Sequence, residues 1–314
     1  LSWNGLDHTL RCLESLLELP ELPGEILVID NGSTPRQDQD LKRFAQSPIR
    51  ILRVEENLGF AGGCNLGASQ LLQRPEIHCV LFLNNDTAVT VSAIPALVKA
   101  LQQPHVGLVG ARMLRMEEPT RIDNRGLALS SWGLAWNITN ETDAPSLASG
   151  GCLLLSRRMI EQVSVNGALF DSKLFLYVED VDLGLRALAH GWKSVTADEA
   201  VVYHVGSASA NQHPDMALYY WHRNILWVML KNFPAFTLWL NVVPVFLLHL
   251  AITLLYTLKG QGRIVWKAKW HALKGLPGVW QQRRQRTARL NQKVFKAILY
   301  SNWKAIQAWR KTSN

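Results

Sequence analysis

Acid is what this chain most conspicuously lacks. All 25 Asp and Glu fall in residues 1–215, where they outnumber 17 Lys and Arg, and none follows Asp215, although residues 216–314 carry 16 Lys and Arg. The formal net charge of +8 is therefore the remainder of −8 and +16, which excludes a uniformly basic protein. Cysteine is scarce too: Cys12, Cys64, Cys79 and Cys152 stand far apart in 314 residues, without a Cys-x-x-Cys pair. That spacing excludes a disulfide scaffold and a structural zinc module and leaves buried thiols in a reducing compartment. No charged leader with a following apolar run opens the chain, which begins at Leu1 rather than Met. No signal peptide is visible, and sequence upstream of Leu1 is expected to be missing. Charge is absent again from all 27 positions of 232–258. With 48% hydrophobic and 18% charged residues there is nonetheless a core to build, so a disordered chain is excluded.

What the first two hundred residues do have is alternation. Leu6, Leu10, Leu13 and Leu17 recur at helical spacing up to Pro20, EILVID (25–30) is an apolar strand ended by Asn-Gly, and a polar helix over 36–46 leads to the strand IRILRV (49–54). A glycine-rich loop and helix (57–73), the strand HCVLFL (78–83), a helix over 92–102 and the strand VGLVGA (106–111) follow. Such alternation predicts an α/β fold with a mainly parallel sheet flanked by helices, which binds ligands beyond the carboxyl ends of its strands. Three strands end in polar turns there: Asp30-Asn-Gly-Ser, Asn57-Leu-Gly-Phe-Ala-Gly-Gly and Asn84-Asn-Asp-Thr. Residues 112–148 read as irregular or short antiparallel structure over one side of the site. SGGCLLLSR (149–157) opens a strand on two glycines, a helix runs from Asp180 to His190 until Gly191, and WKSVTA (192–197) and AVVYHV (200–205) are two further strands.

The uncharged run at 232–258 would reach about 40 Å as one helix, long enough to span a bilayer. Pro234, Asn241, Pro244 and His249 interrupt it, and fourteen basic residues follow from Lys259 onward, which the positive-inside tendency keeps cytoplasmic. A body using a cytosolic substrate must share that side, which favours a re-entrant hairpin bent near Pro244 or helices lying in the interface. Eight of the twelve tryptophans lie beyond Asp215, interleaved with Lys and Arg, as at a headgroup layer. The competing reading is a buried helix pair with a solvated or RNA-binding tail. It ranks second because uncharged runs of this length are rare in soluble domains, so no nucleic acid is expected and the partner is an anionic membrane surface. The chain divides into a catalytic body (1–215) and a helical, basic membrane-associated part (216–314).

The ordered motifs VIDNGS (28–33), ENLGFAGGCNLG (56–67), LFLNNDT (81–87), SGGCLLLSR (149–157), FLYVEDVDLGLRALAHGW (175–192) and VVYHVGS (201–207) resemble family 2 inverting glycosyltransferases of the GT-A (Rossmann-like) fold, rhamnosyltransferase-like bacterial members especially. The resemblance covers residues 1 to about 230. It implies a nucleotide-sugar donor, with dTDP-rhamnose nearest, and a lipid-linked or cell-envelope glycan acceptor, handled at the cytoplasmic face of a bacterial inner membrane.

The resemblance also implies roles for single residues. Asp30 recognises the nucleotide, although it could equally cap its own turn. Asn4 lies in the first loop, and Asn57, Gly62, Gly63 and Asn65 lie against the donor, the glycines allowing close backbone approach. Asn84 replaces the first acid of a D-x-D motif whose acids hold a divalent cation, Mg²⁺ or Mn²⁺, so Asp86 carries most of the metal site. His204 completes the site in some relatives, or is simply structural; as a ligand it would favour Mn²⁺. Asp180 is the base that takes the acceptor proton and Glu179 orients its neighbours or the acceptor, while Asp182 needs only to cap a helix start that welcomes carboxylates. Arg223-Asn224 resembles a segment found after the catalytic body in relatives, without an assigned role; Arg223 could contact diphosphate or lipid phosphate, or merely pair with an acid. Two other classes remain open. A sugar nucleotidyltransferase would need an early basic residue near the phosphates, and Ser2–Asp7 has none; a non-catalytic membrane-anchored glycan-binding scaffold would show no transfer.

Overall fold

The structure is a computed structural model that describes residues 1–45, 48–206 and 213–313. Gln46, at the end of the expected polar helix, and Ser207, at the end of the last motif, lie outside the described residues. The chain opens with α1 (Leu6–Leu17), β1 (Ile26–Asn31), a short α2 (Asp38–Leu41), β2 (Ile49–Val54), α3 (Gly59–Leu71), β3 (Cys79–Leu83), β4 (Thr87–Val89) and α4 (Ala93–Leu101). It continues with β5 (Val106–Arg115), β6 (Ile122–Asn124), β7 (Leu127–Ser130), β8 (Ala135–Asn137), β9 (Cys152–Ser156), α5 (Arg157–Val163), α6 (Glu179–Ala189) and β10 (Lys193–His204). The C-terminal part holds α7 (Pro214–Asn232), α8 (Ala235–Leu258), α9 (Gly262–Gln285), α10 (Gln292–Ala297), β11 (Leu299–Tyr300) and α11 (Asn302–Ser313).

The α/β architecture is present, but the sheet is mixed rather than mainly parallel. β1 and β2 pair in parallel, and Ser2 adds a parallel bridge to Asp30. The six-stranded sheet has the order β3-β9-β5-β10-β4 with β6 on β5; β9 is antiparallel to both neighbours, β4 is antiparallel to β10, and only β5 and β10 run together. Strands buried on both faces, such as Leu153–Leu155 and Leu108–Ala111, read as continuous apolar runs whichever way they point, so the pattern identifies strands but not their direction. The two expected strands at 192–205 are halves of one. β10 follows β5 throughout, and the register shift between Ala197 and Val201 pushes Asp198 and Glu199 out to solvent.

Leu13, Leu97, Val109 and Met113 fill one side of the sheet, and Phe82, Leu153, Leu155, Phe170 and Leu183 the other. A third core joins the two charge halves: Leu147, Leu174, Val181 and Leu185 pack with Ile225, Val228, Phe233 and Phe295. The expected hairpin at Pro244 is absent. α8 runs unbroken through that proline, and the chain reverses instead at Gly260, whose φ of +82° suits the left-handed cap that ends a helix; Gln261 N donates to Tyr256 O at 2.8 Å. Proline removes one helix hydrogen bond, which neighbouring turns can absorb, so it need not break a long helix. α8 is long and apolar enough to cross a membrane, yet only 17% of its most apolar stretch is buried, so it is no core helix. Phe236, Trp239, Val243 and Phe246 face outward, as do Trp266, Trp270 and Trp280 of α9.

Candidate active site

Strand register assembles one half of the site. β3 ends at Leu83, the chain turns through Asn84-Asn85-Asp86, and β4 pairs Thr87 with His204 at the end of β10. Asp86 and His204 thereby meet, with Oδ1 3.3 Å from Nε2, while His204 Nδ1 lies 2.8 Å from Asp123 Oδ2 on β6. Burial alone would lower the His204 pKa, but its hydrogen bonds to Asp123 and Asp86 outweigh that and raise it to about 9. Burial pushes Asp86 the other way, and His204 beside it brings the net shift below the usual carboxylate range. Among the described residues no group of three or more His, Cys, Asp or Glu side chains is arranged to hold a metal. The Asp86 and His204 pair nonetheless suits one, because an imidazole braced on its second nitrogen by a carboxylate is the usual form of a metal-binding histidine. Asp123 was not singled out from the sequence. It sits in the loose 112–148 segment, and nothing but pairing of β6 with β5 brings it to His204.

The other half is the start of α6. Asp180, half-buried, accepts from Gly150 N at 2.9 Å and from Val181 N at 2.8 Å. Burial raises its pKa, and these backbone donors only partly offset the rise. Glu179 is pushed up to about 8, first by burial and then by Asp180, and its Oε2 is buried without a hydrogen-bond partner. Gly150-Gly151 joins the halves: a Cβ on Gly150 would lie 3.3 Å from Asp180 Oδ2, while Gly151 O accepts from Asn84 N at 3.0 Å. Tyr177 feels both sides, its phenol raised to about 12 by burial and then by the charges of Glu179 and Asp86.

Asp182 does more than cap. Its buried carboxylate meets Arg186 at 2.9 Å, Lys231 at 3.0 Å, Arg286 at 3.1 Å and the Asn232 amide at 2.8 Å, which ties α6 to α7 and to the chain just after α9.

The donor-side residues are mostly occupied within the protein. Asp30 is fully buried, paired with Arg53 at 2.5 Å and accepting from Ser33 N at 3.1 Å, the contacts that its turn-capping alternative describes. Asn4 Oδ1 accepts from Thr34 N at 2.8 Å, and Asn57 Oδ1 from Gly59 N at 2.8 Å and from Asn31 Nδ2 at 2.9 Å. Gly62 and Gly63 lie within α3 and past its first three positions, where backbone N–H groups are spent on the helix. The space at Gly63 is taken by Leu1, 2.4 Å from where a Cβ would stand, so close approach there serves packing. Asn65 brackets Phe170, donating to its carbonyl and accepting from its N–H, both at 2.8 Å. Asn84 stands beside the glycine turn, its Nδ2 3.7 Å from where a Cβ on Gly151 would lie.

With this geometry in place, comparison with known proteins decides the family. The glycosyl transferase family 2 model matches residues 2–163. The N-acetylglucosaminyl-diphospho-decaprenol L-rhamnosyltransferase of Mycobacterium tuberculosis is 30% identical over 248 residues, covering 69% of this chain and 78% of that protein. The chain belongs to glycosyl transferase family 2. This glycosyltransferase also resembles galactofuranosyltransferase GlfT2 of Mycobacterium tuberculosis, 25% identical over 68% of this chain and 38% of that one. It shares a fold with a mannosyltransferase from Pyrobaculum calidifontis solved with GDP-Man and Mn²⁺, at a TM-score of 0.52 and 15% identity, covering 87% and 85% of the two chains. The GT-A-like body is thus common to the transferase and its structural relative, and the nucleotidyltransferase and scaffold alternatives fall away.

Proposed function

We propose that this glycosyltransferase works at a membrane surface by an inverting, single in-line displacement, moving a sugar from a nucleotide donor to a hydroxyl of a lipid-linked or cell-envelope glycan. The observation that carries the reading is the Gly150-Gly151 turn, which hydrogen-bonds Asp180 on one side and the Asn84–Asp86 turn on the other. Asp180 takes the acceptor proton; burial favours its protonated form, which makes it a better base than an exposed carboxylate. Glu179, whose carboxyl burial and Asp180 push toward the neutral form, orients its neighbours at the start of α6. Asp86 and His204, with the Asn84 amide oxygen, would hold a divalent cation that supplies positive charge to the departing diphosphate. With so few protein ligands, the donor oxygens would complete its coordination. The likeness to the mycobacterial rhamnosyltransferase supports rhamnose as the transferred sugar, with dTDP-rhamnose the donor we propose, and a polyprenyl-diphosphate-linked acceptor.

The outward apolar face of α8, the exposed tryptophans of α9 and the acid-free tail support attachment to anionic lipid at the cytoplasmic face of a bacterial inner membrane. Transfer assays on the full chain with Mn²⁺ test the chemistry. Asp180→Asn is expected to lose roughly 10²–10⁴-fold in kcat, and Asp86→Ala to raise the cation concentration required. Full activity of Asp180→Asn would refute the base.

A further inference from the structure

Residues 173–178 deliver Glu179 and Asp180 to the start of α6, and their backbone has an unusual shape. Phe175, Tyr177 and Val178 have φ of +64°, +67° and +60°. Residues other than glycine enter this region at a cost, and a β-branched residue such as Val178 rarely enters it at all. Such a segment persists only when its surroundings impose it.

The surroundings that impose it come from α7. Asn224 is fully buried, and its Nδ2 donates to the carbonyls of Leu174 at 2.7 Å, Leu176 at 2.8 Å and Tyr177 at 3.1 Å. Arg223 Nε donates to Asn224 Oδ1 at 2.8 Å, which fixes the amide's orientation, and Arg223 Nη2 donates to Lys173 O at 2.6 Å and Leu174 O at 3.2 Å. The guanidinium itself is held over the rings of Tyr220 and Trp227, at 4.7 and 4.4 Å, and Tyr220 stacks on Phe175 at 4.9 Å. On its far side the segment rests on the glycine-rich helix: Ala61 N donates to Phe175 O at 3.1 Å, and a Cβ on Gly59 would lie 2.5 Å from Phe175. One strained loop is therefore pressed between the donor-side helix and α7, and Asp180 follows two residues after it.

We propose that Arg223 and Asn224 are positioning residues for sugar transfer: they hold the 173–178 backbone in its left-handed course and so set where the Asp180 carboxylate points. The inference rests on the reading of Asp180 as the base. It has two parts, that the α7 pair holds the loop and that the loop's shape sets the transfer rate.

Both parts are read on the full chain in lipid or detergent. Asn224→Leu keeps the volume and removes every donor; Arg223→Gln, at a less buried position, keeps a measurable protein if the first variant folds poorly. Amides of 174–180 are expected to exchange hydrogen faster in both variants while exchange in β5 and β9 is unchanged. Misplacing a reacting group by about 1 Å can cost about 100-fold. Asn224→Leu is accordingly expected to lose about 100-fold and Arg223→Gln about tenfold in kcat, with donor KM within threefold of wild type. Unchanged exchange at 174–180 would overturn the first part. Faster exchange with wild-type kcat, or a kcat loss that cooling restores together with the fold, would overturn the second. Asp180→Asn measured alongside separates the two readings. If it is inactive while both α7 variants keep wild-type kcat, the base stands and the positioning role falls. If it is fully active the base assignment falls by itself, since the exchange measurement is made on the α7 variants and reads backbone opening, whatever the Asp180 carboxylate does.

Discussion

Asp182 provides the sharpest test of how the two charge halves are joined. Its carboxylate is buried and contacts Arg186, Lys231 and Arg286 within 2.9–3.1 Å, with the Asn232 amide as a fourth partner. Burial alone would raise its pKa, but the three cations outweigh burial and hold it well below the usual carboxylate range. A depressed carboxylate pKa contributes stability that is present above the unfolded value of 3.8 and lost as pH falls through the folded value, so at pH 7 the contribution is complete. Asp182→Ala leaves Arg186 and Arg286 without their carboxylate; Lys231 keeps Asp171 at 2.8 Å. Breaking a buried ion pair by removing one partner costs about 3–5 kcal/mol. At about 2–4 °C per kcal/mol for a chain of this order, the expected fall in Tm is about 10 °C. Thermal unfolding followed by tryptophan fluorescence at pH 7 measures it, and adding Arg286→Met to Asp182→Ala is expected to restore part of the loss by removing a stranded cation. A Tm within 2 °C of wild type would refute the view that this network holds α6 to α7 and α9.

Glu179, pushed up to about 8 from 4.5, contributes stability that is full below about pH 4.5 and is lost as pH rises through about 8; Glu179→Gln should flatten the Tm-against-pH curve between pH 5 and 9, and an unchanged slope would contradict the shift. Asp123→Asn removes the brace on His204 Nδ1 and is expected to weaken Mn²⁺ binding about 10–100-fold, measured by titration; affinity equal to wild type would remove His204 from the metal site. Trp239→Ser with Phe246→Ser strips two exposed aromatics from α8 and should lower binding to anionic vesicles at least about tenfold in a sedimentation assay, whereas undiminished binding would place the membrane contact elsewhere.

Sequence pattern carried the element order and the acidic motifs well, because hydrophobic spacing and turn chemistry are local. Strand direction was not local: β9 reads as the same apolar run whether it lies parallel or antiparallel to β5. Asp123 was invisible for a similar reason, since it reaches His204 only through the pairing of β6 with β5. Asp30 read as ligand-facing because polar residues at strand ends often are, and Asn65 because it follows the glycine-rich turn, yet in this structure each spends its polar atoms on backbone or on Arg53. Asn224 stood in the sequence as an unexplained Arg-Asn pair; its partners are three backbone carbonyls about fifty residues earlier, which no side-chain pattern announces. Pro244 suggested a bend that the uninterrupted α8 does not make.

The shared core and the Asp182 network also bear on how the protein can be dissected. A soluble fragment ended at the last acid would expose Leu174, Val181 and Leu185, take Lys231 and Arg286 away from Asp182, and release the loop before Asp180 from Asn224. The acid-free third packs and hydrogen-bonds the segment that carries Glu179, Asp180 and Asp182. On the proposed reading of Asp180 as the base, a preparation made soluble by removing it fails from disorder at Glu179 and Asp180 rather than from loss of lipid, and its inactivity would be mistaken for a need for membrane.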